Sequence, residues 1–269
     1  MIRPAPAGYA ALDIGDARVV VHERFADTLR SVLEGHCSVY EWASSHPERR
    51  EMQGRLSVFA VPLPNGGPRV VVRRSHHGGL MAQVLRDLFV PPTRARAELD
   101  ISLMLAQSGV PTPPVVAFAI YKVGPLFRRV DVVTVELPGR DLGTALCEAT
   151  ASEERRALVQ PVAVMLGALT EAGVWHPDLN VKNILLVPDD AGALHPAVLD
   201  VDRVSFVPPG DPNLREANFR RLARSMARWR GLHGVGFTDD ELEDLRSRLL
   251  RDEAVQAAHR ALAMDEFMP

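Results

Sequence analysis

The sequence predicts an α+β protein of two lobes, an antiparallel-sheet N-lobe followed by a mainly helical C-lobe. Three observations carry this expectation. Runs of β-branched residues joined by turn residues fill much of the first half, Pro138-Gly139 punctuates the middle, and a long helical pattern opens the second half.

In chain order, residues 18–21 read as a short strand, and residues 25–42 place Phe25, Leu29, Val32 and Leu33 at helical spacing. Residues 1–50 are therefore expected as a strand-and-helix extension before an N-lobe spanning 51–137. Within that lobe, residues 56–63 and 69–73 form a hairpin across Pro64-Asn65-Gly66-Gly67, because Asn and Gly accept the positive φ that tight hairpin turns demand. A helix follows over 93–107, with Leu99, Leu103 and Leu105 on its apolar face. Ser108-Gly109 closes it, and Pro111, Pro113 and Pro114 prevent its continuation. Residues 115–120 and 130–136 add two more strands.

The C-lobe is expected over 138–269. A long helix spans 152–172, with Ser152 as N-cap, Glu153 and Glu154 at its positive end, and Gly173 as its stop. Short apolar strands at 184–187 and 197–201 surround a turn, and helices fill the remainder. The chain shows no internal repeat.

Composition narrows the class. Of 269 residues, 46% are hydrophobic and 24% charged, with a net charge of −3, so nothing draws the whole chain toward nucleic acid. Among the 31 basic residues only Lys122 and Lys182 are lysines, which makes Lys182 conspicuous. Cys37 and Cys147 stand far apart without partners at metal-ligand spacing, and are expected as buried, inert thiols. The first residues lack a signal-peptide pattern, and no stretch approaches the roughly 20 apolar residues of a membrane span, so a cytoplasmic location is expected.

The chemistry is concentrated in His176-Pro177-Asp178-Leu179-Asn180-Val181-Lys182-Asn183. Asp178 follows His176 by two residues and precedes Asn183 by five. This is the H-x-D-L-x-x-x-N spacing of a phosphotransferase catalytic loop, in which Asp faces the nucleophile and Asn binds a metal. Downstream, Val198-Leu199-Asp200-Val201-Asp202 puts an acid after an apolar strand, where a second metal-binding carboxylate is needed, and Asp200 is the candidate.

The loop HPDLNVKNILL resembles that of bacterial 3-deoxy-D-manno-octulosonic acid (Kdo) kinases, within the lipopolysaccharide kinase family. VVVRRSHHGGLM at 70–81, AELDISLMLAQSGVPTPPVVA at 97–117, VELPGRDLGTAL at 135–146, VLDVDR at 198–203 and EANFRRLARSMAR at 216–228 resemble the same family. The resemblance covers most of residues 54–230. It implies a protein-kinase-like fold, ATP with Mg2+, and transfer to a hydroxyl of a Kdo or heptose sugar on lipid A. It further implies work at the cytoplasmic face of the inner membrane.

By the same resemblance, Arg73 stands where protein kinases keep a phosphate-pairing lysine, Glu98 is its helix partner, and Gly54 lies where a Gly-rich loop covers the phosphates. Glu136 and Leu137 form the hinge that offers backbone groups to adenine. Asn180 and Lys182 are placed to reach the γ-phosphate or the acceptor hydroxyl, with Lys182 supplying charge. His76-His77 has no third ligand nearby and is assigned no metal. Residues 80–89 form an amphipathic segment that either packs under a loop or touches a bilayer. Phe219, Leu222, Met226 and Trp229 make one helical stripe for the core, while Arg220, Arg221, Arg224 and Arg228 occupy other faces. Two rival readings stay open: a protein or small-molecule kinase of the same fold, and a scaffold of kinase ancestry. The absence of an A-P-E segment weighs against a regulated protein kinase.

Overall fold

The computed structural model describes residues 4–52, 57–76, 87–90, 94–209 and 211–250. Gly54, His77 and most of the 80–89 segment lie outside them. The chain forms two units, Met1–Asp100 with Pro114–Glu136, and Ile101–Pro113 with Leu137–Pro269.

The first unit is built on one antiparallel sheet. Its strands are β1 (Tyr9–Ile14), β2 (Ala17–His22), β3 (Arg50–Met52), β4 (Val58–Pro62), β5 (Arg69–Arg74), β6 (Val115–Val123) and β7 (Phe127–Val135), in the order β1-β2-β6-β7-β5-β4-β3. The β4–β5 hairpin turns where Asn65 and Gly66 take φ of 59° and 72°, as the sequence requires. Residues 1–50, read from sequence as an extension, contribute β1 and β2, with β2 paired to β6. β1 was not expected; its YAALDI alternation is short and only partly apolar.

The helical pattern over 25–42 is two helices, α1 (Ala26–Gly35) and α2 (Val39–Ser45), because Ser38 restarts the helix by accepting the Glu41 N–H at 3.0 Å. Helix α3 (Ala95–Gln107) follows, and its opening turn, with Glu98, belongs to this unit. Gly109, at φ 71°, closes it. Alternate residues of β5, Val70 and Val72, are fully buried, which turns Arg73 to the opposite face.

The second unit surrounds an apolar helix. Its elements are β8 (Arg140–Asp141), α4 (Leu142–Glu148), α5 (Ser152–Ala157), α6 (Val159–Glu171), β9 (Val174–Trp175), β10 (Ile184–Pro188), β11 (Leu194–Val198), β12 (Ser205–Phe206), α7 (Pro212–His233) and α8 (Asp239–Leu250). The helix predicted over 152–172 is interrupted at Leu158, giving α5 and α6. Ala151 takes the N-cap position expected for Ser152, and Glu154 accepts its N–H at 3.0 Å. α6 is buried on every side, as the packing of Met165, Leu166 and Leu169 with Leu222, Met226 and Leu245 requires. The expected stripe on α7 thus faces the core, with Phe219 and Trp229 packed at its margin. Both cysteines are free and exposed rather than buried. Among the described residues, no helix is long and apolar enough to cross a membrane.

Candidate active site

The entry to the loop at 176–183 is fixed by a glycine. Gly173 sits at φ 66°, and a Cβ there would fall 2.1 Å from the Val207 carbonyl oxygen, so only glycine permits the turn from α6 into β9. β9 pairs with β12, and the loop at 176–183 then runs to β10.

His176 organises that loop from inside. It is fully buried; its Nδ1 accepts the Asp178 N–H at 3.2 Å, and its Nε2–H donates to the Leu199 carbonyl at 3.1 Å. This pairing fixes the neutral tautomer with the proton on Nε2. Burial holds the imidazole below its ordinary pKa, against upward pulls from the Leu199 carbonyl and the carboxylates of Asp200 and Asp178. Asn218 on α7, also fully buried, accepts the His176 N–H at 3.3 Å and donates to the Val174 carbonyl at 2.9 Å.

The loop's other polar residues close on Asp178. The side-chain amides of Asn180 and Asn183 each donate to the Asp178 carbonyl at 2.9 Å, and Asn180 Oδ1 accepts the Lys182 N–H at 2.9 Å. Val181 N–H donates to Ser225 Oγ at 3.2 Å. With the backbone committed, the Asp178 carboxylate is left 57% exposed; its nearest cation is Arg221, at 3.7 Å.

The same frame carries Asp200. Leu199 N–H donates to the Asn183 carbonyl at 2.9 Å while its carbonyl accepts from His176, so residue 199 is gripped from both sides. Immediately beyond, Asp200 adopts the left-handed conformation, φ 57° and ψ 51°, with an exposed side chain. Asp178, Asn183 and Asp200 are therefore joined through one hydrogen-bonded scaffold.

Lys182 is less free than its sequence position suggests. Its Nζ lies 3.1 Å from Asp141 Oδ1 and 3.4 Å from Thr144 Oγ1, and 4.8 Å from the centroid of the Trp229 ring. Asp141 also caps α4 by accepting the Thr144 N–H at 2.9 Å. In the first unit, Arg73 is ion-paired with Glu98, which is buried although charged. Glu136 is paired with Arg50 and, at 2.9 Å, with Arg69. Its N–H already donates to the Arg69 carbonyl at 2.9 Å, and the Leu137 carbonyl accepts from Gly139 N–H at 2.9 Å, so part of the expected hinge backbone is in use.

Sequence reasoning missed four participants: Asn218, Asp141, Trp229 and the contact of Arg221 with Asp178. Asp141 had a local signal, an Asp three residues before Thr at a helix start. Asn218 had only a weaker one, a polar residue beside a core stripe. Among the described residues no cluster of three or more His, Cys, Asp or Glu could hold a metal. Asn183 and Asp200 nevertheless supply hard oxygen donors, and Mg2+ is commonly held by one or two carboxylates together with substrate phosphates and water. The Asn183 amide nitrogen is committed to Asp178, which leaves its Oδ1 for a cation.

An antiparallel-sheet unit with a strand cation paired to a helix glutamate, and a helical unit carrying this loop, define the protein-kinase-like fold. A solved structure of WaaP in complex with acyl carrier protein has the same fold, with a TM-score of 0.54 at 21% identity over 93% of this chain and 97% of that one. The chain belongs to the lipopolysaccharide kinase (Kdo/WaaP) family, whose profile matches residues 41–248. Relatives include a 3-deoxy-D-manno-octulosonic acid kinase of Xylella fastidiosa (strain 9a5c), 30% identical over 72% of this chain and 75% of the relative. Another, of Vibrio vulnificus (strain CMCP6), is 26% identical over 76% of this chain and 84% of the relative.

Proposed function

We propose that this kinase transfers the γ-phosphoryl group of ATP to a sugar hydroxyl of the lipopolysaccharide inner core, on Kdo or heptose attached to lipid A. The observation that carries the reading is the exposed Asp178 carboxylate on a loop tied to Asn183 and, through His176 and Leu199, to the residue before Asp200. Family membership supports the acceptor class.

In this reading Asp178 orients the acceptor hydroxyl and takes its proton as the oxygen attacks phosphorus. The new O–P bond replaces the bond to the β-phosphate oxygen, and ADP departs. Asn183 Oδ1 and the Asp200 carboxylate would hold Mg2+, which would supply neutralisation of phosphate charge. Arg73, kept in place by Glu98, grips phosphate oxygens with the planar fork that arginine offers in place of lysine. Glu136 and Leu137 meet adenine through groups other than the committed Glu136 N–H, while Gly54, the sequence's candidate for covering the phosphates, lies outside the described residues. Asn180 holds the loop shape, and Lys182 reaches the transferring charge by leaving Asp141. The lipid-linked acceptor sets this chemistry at a membrane surface, on its cytoplasmic side.

Incubation with ATP, Mg2+ and Kdo-lipid A, followed by mass analysis, tests the proposal. One added phosphate that disappears in Asp178→Asn supports it. Labelling of protein alone favours a protein kinase, and absence of nucleotide turnover favours a scaffold.

A further inference from the structure

Helix α7 carries an unbalanced charge. Across Pro212–His233 it holds six arginines against one acid, Glu216. Glu216 is taken by Arg220 on α7 and, at 3.6 Å, by Arg246 on α8. Arg221, Arg224 and Arg228 are spaced at i, i+3 and i+7, so they share one ridge that spans roughly 10 Å along the axis. Arg224 and Arg228 are exposed, and neither has an ion-pair partner among the described residues. Like charges at this spacing repel one another, and the helix's one carboxylate, Glu216, is already engaged by Arg220 and Arg246.

The position of the ridge is set by the contacts beside it. Asn218 and Ser225 bind the catalytic loop directly, at His176 and Val181. Arg221 reaches Asp178 at 3.7 Å, and Trp229 underlies Lys182. The face of α7 turned to the loop thus runs through 218, 221, 225 and 229, and Arg224 and Arg228 continue the row that begins at Arg221 one step further out. A row of guanidinium groups starts at Arg221 beside Asp178 and continues through Arg224 and Arg228, which have no ion-pair partner among the described residues. Such a row suits a ligand that brings its reacting hydroxyl to Asp178 and its negative charge to α7.

We propose that Arg221, Arg224 and Arg228 form an anion cradle that binds carboxylate or phosphate groups of the acceptor and so selects acidic sugars over neutral ones. This deepens the proposed function and rests on it. In the acceptor-free protein Arg221 is the counter-ion of Asp178; the acceptor's anion draws on the same guanidinium and ties the hydroxyl end to the charged end.

The test is the double variant Arg224→Gln/Arg228→Gln, with each single variant compared against Arg220→Gln, which removes one charge from a neighbouring face. The KM for Kdo-lipid A should rise about tenfold or more in the double variant, as loss of charge-assisted contacts implies. Its dependence on ionic strength should flatten, while the KM for ATP moves less than about twofold. Acceptors with the sugar carboxylate reduced, or with the lipid phosphates removed, identify which anion is read: the double variant should be indifferent to the loss that weakens the native protein. Equal effects in Arg220→Gln, or a shift in the KM for ATP instead, overturn the cradle. Equilibrium binding of the same acceptors keeps the two proposals apart. Binding that needs Arg224 and Arg228 but leads to no transfer supports the cradle and sinks the kinase reading; transfer indifferent to them sinks the cradle alone.

Discussion

The two units hold their candidate functional groups with different balances of ion pairing and neutral hydrogen bonding. In the sheet unit the key side chains sit in ion pairs: Arg73 with Glu98, Arg74 with the fully buried Asp131 at 2.9 Å, and Glu136 with two arginines. In the helical unit the Asp178 backbone is held by neutral groups, the imidazole of His176 and the amides of Asn180 and Asn183, with Asn218 bracing His176. Charge enters at its margin, where Arg221 stands 3.7 Å from the Asp178 carboxylate and Lys182 pairs with Asp141. Charge pairs at part-exposed positions tolerate motion and respond to salt, whereas a buried neutral network fixes one geometry and fails when any member is charged or removed. Under the proposed function, the first property suits a nucleotide grip and the second suits a base that must meet one hydroxyl.

The comparison can be broken most severely at its reactive end. Asp178→Asn should lower kcat about 10²–10⁴-fold, the range of a positioned general base. Because the side chain is 57% exposed, the melting temperature should barely move; a large loss of stability would mean that Asp178 is part of the frame.

His176→Ala should behave in the reverse way, removing a buried ring and two hydrogen bonds for roughly 2–4 kcal/mol of stability, read by denaturant unfolding. The same residue sets a pH dependence. Above about pH 6.5, the ordinary histidine value, His176 is neutral in folded and unfolded chains alike. Below it the unfolded chain takes up a proton that burial denies the folded one, so stability is lost as pH falls toward the depressed folded value. His176→Gln should remove that part of the slope.

In the sheet unit the effects should be smaller and salt-dependent. Glu98→Gln should raise the KM for ATP by about three- to tenfold at low salt, and less at high salt, while leaving the pH slope of unfolding intact. A change in that slope would show that the two regions are not independent.

These contrasts also mark what could be read from the chain. The β4–β5 hairpin, the closing glycines of α3 and α6, and the loop spacing were legible because each depends on residues adjacent in sequence. The split of α1 from α2 was missed because a single cap, Ser38, overrides a continuous apolar pattern. Asn218 lies 42 residues from His176, and nothing near it in sequence announces that contact. The Lys182–Asp141 pair spans 41 residues and was hidden for the same reason. Local chemistry named the candidate groups; the long-range hydrogen bonds around them required the fold.

The backbone at Asp200 places this residue on a different scale of selection. A non-glycine residue at φ 57° gives up roughly 1 kcal/mol relative to glycine, less for Asp than for most side chains. Asp200→Gly should therefore raise the melting temperature slightly while removing phosphotransfer. A screen for thermal resilience alone would drive this position toward glycine; a screen for turnover would restore the acid.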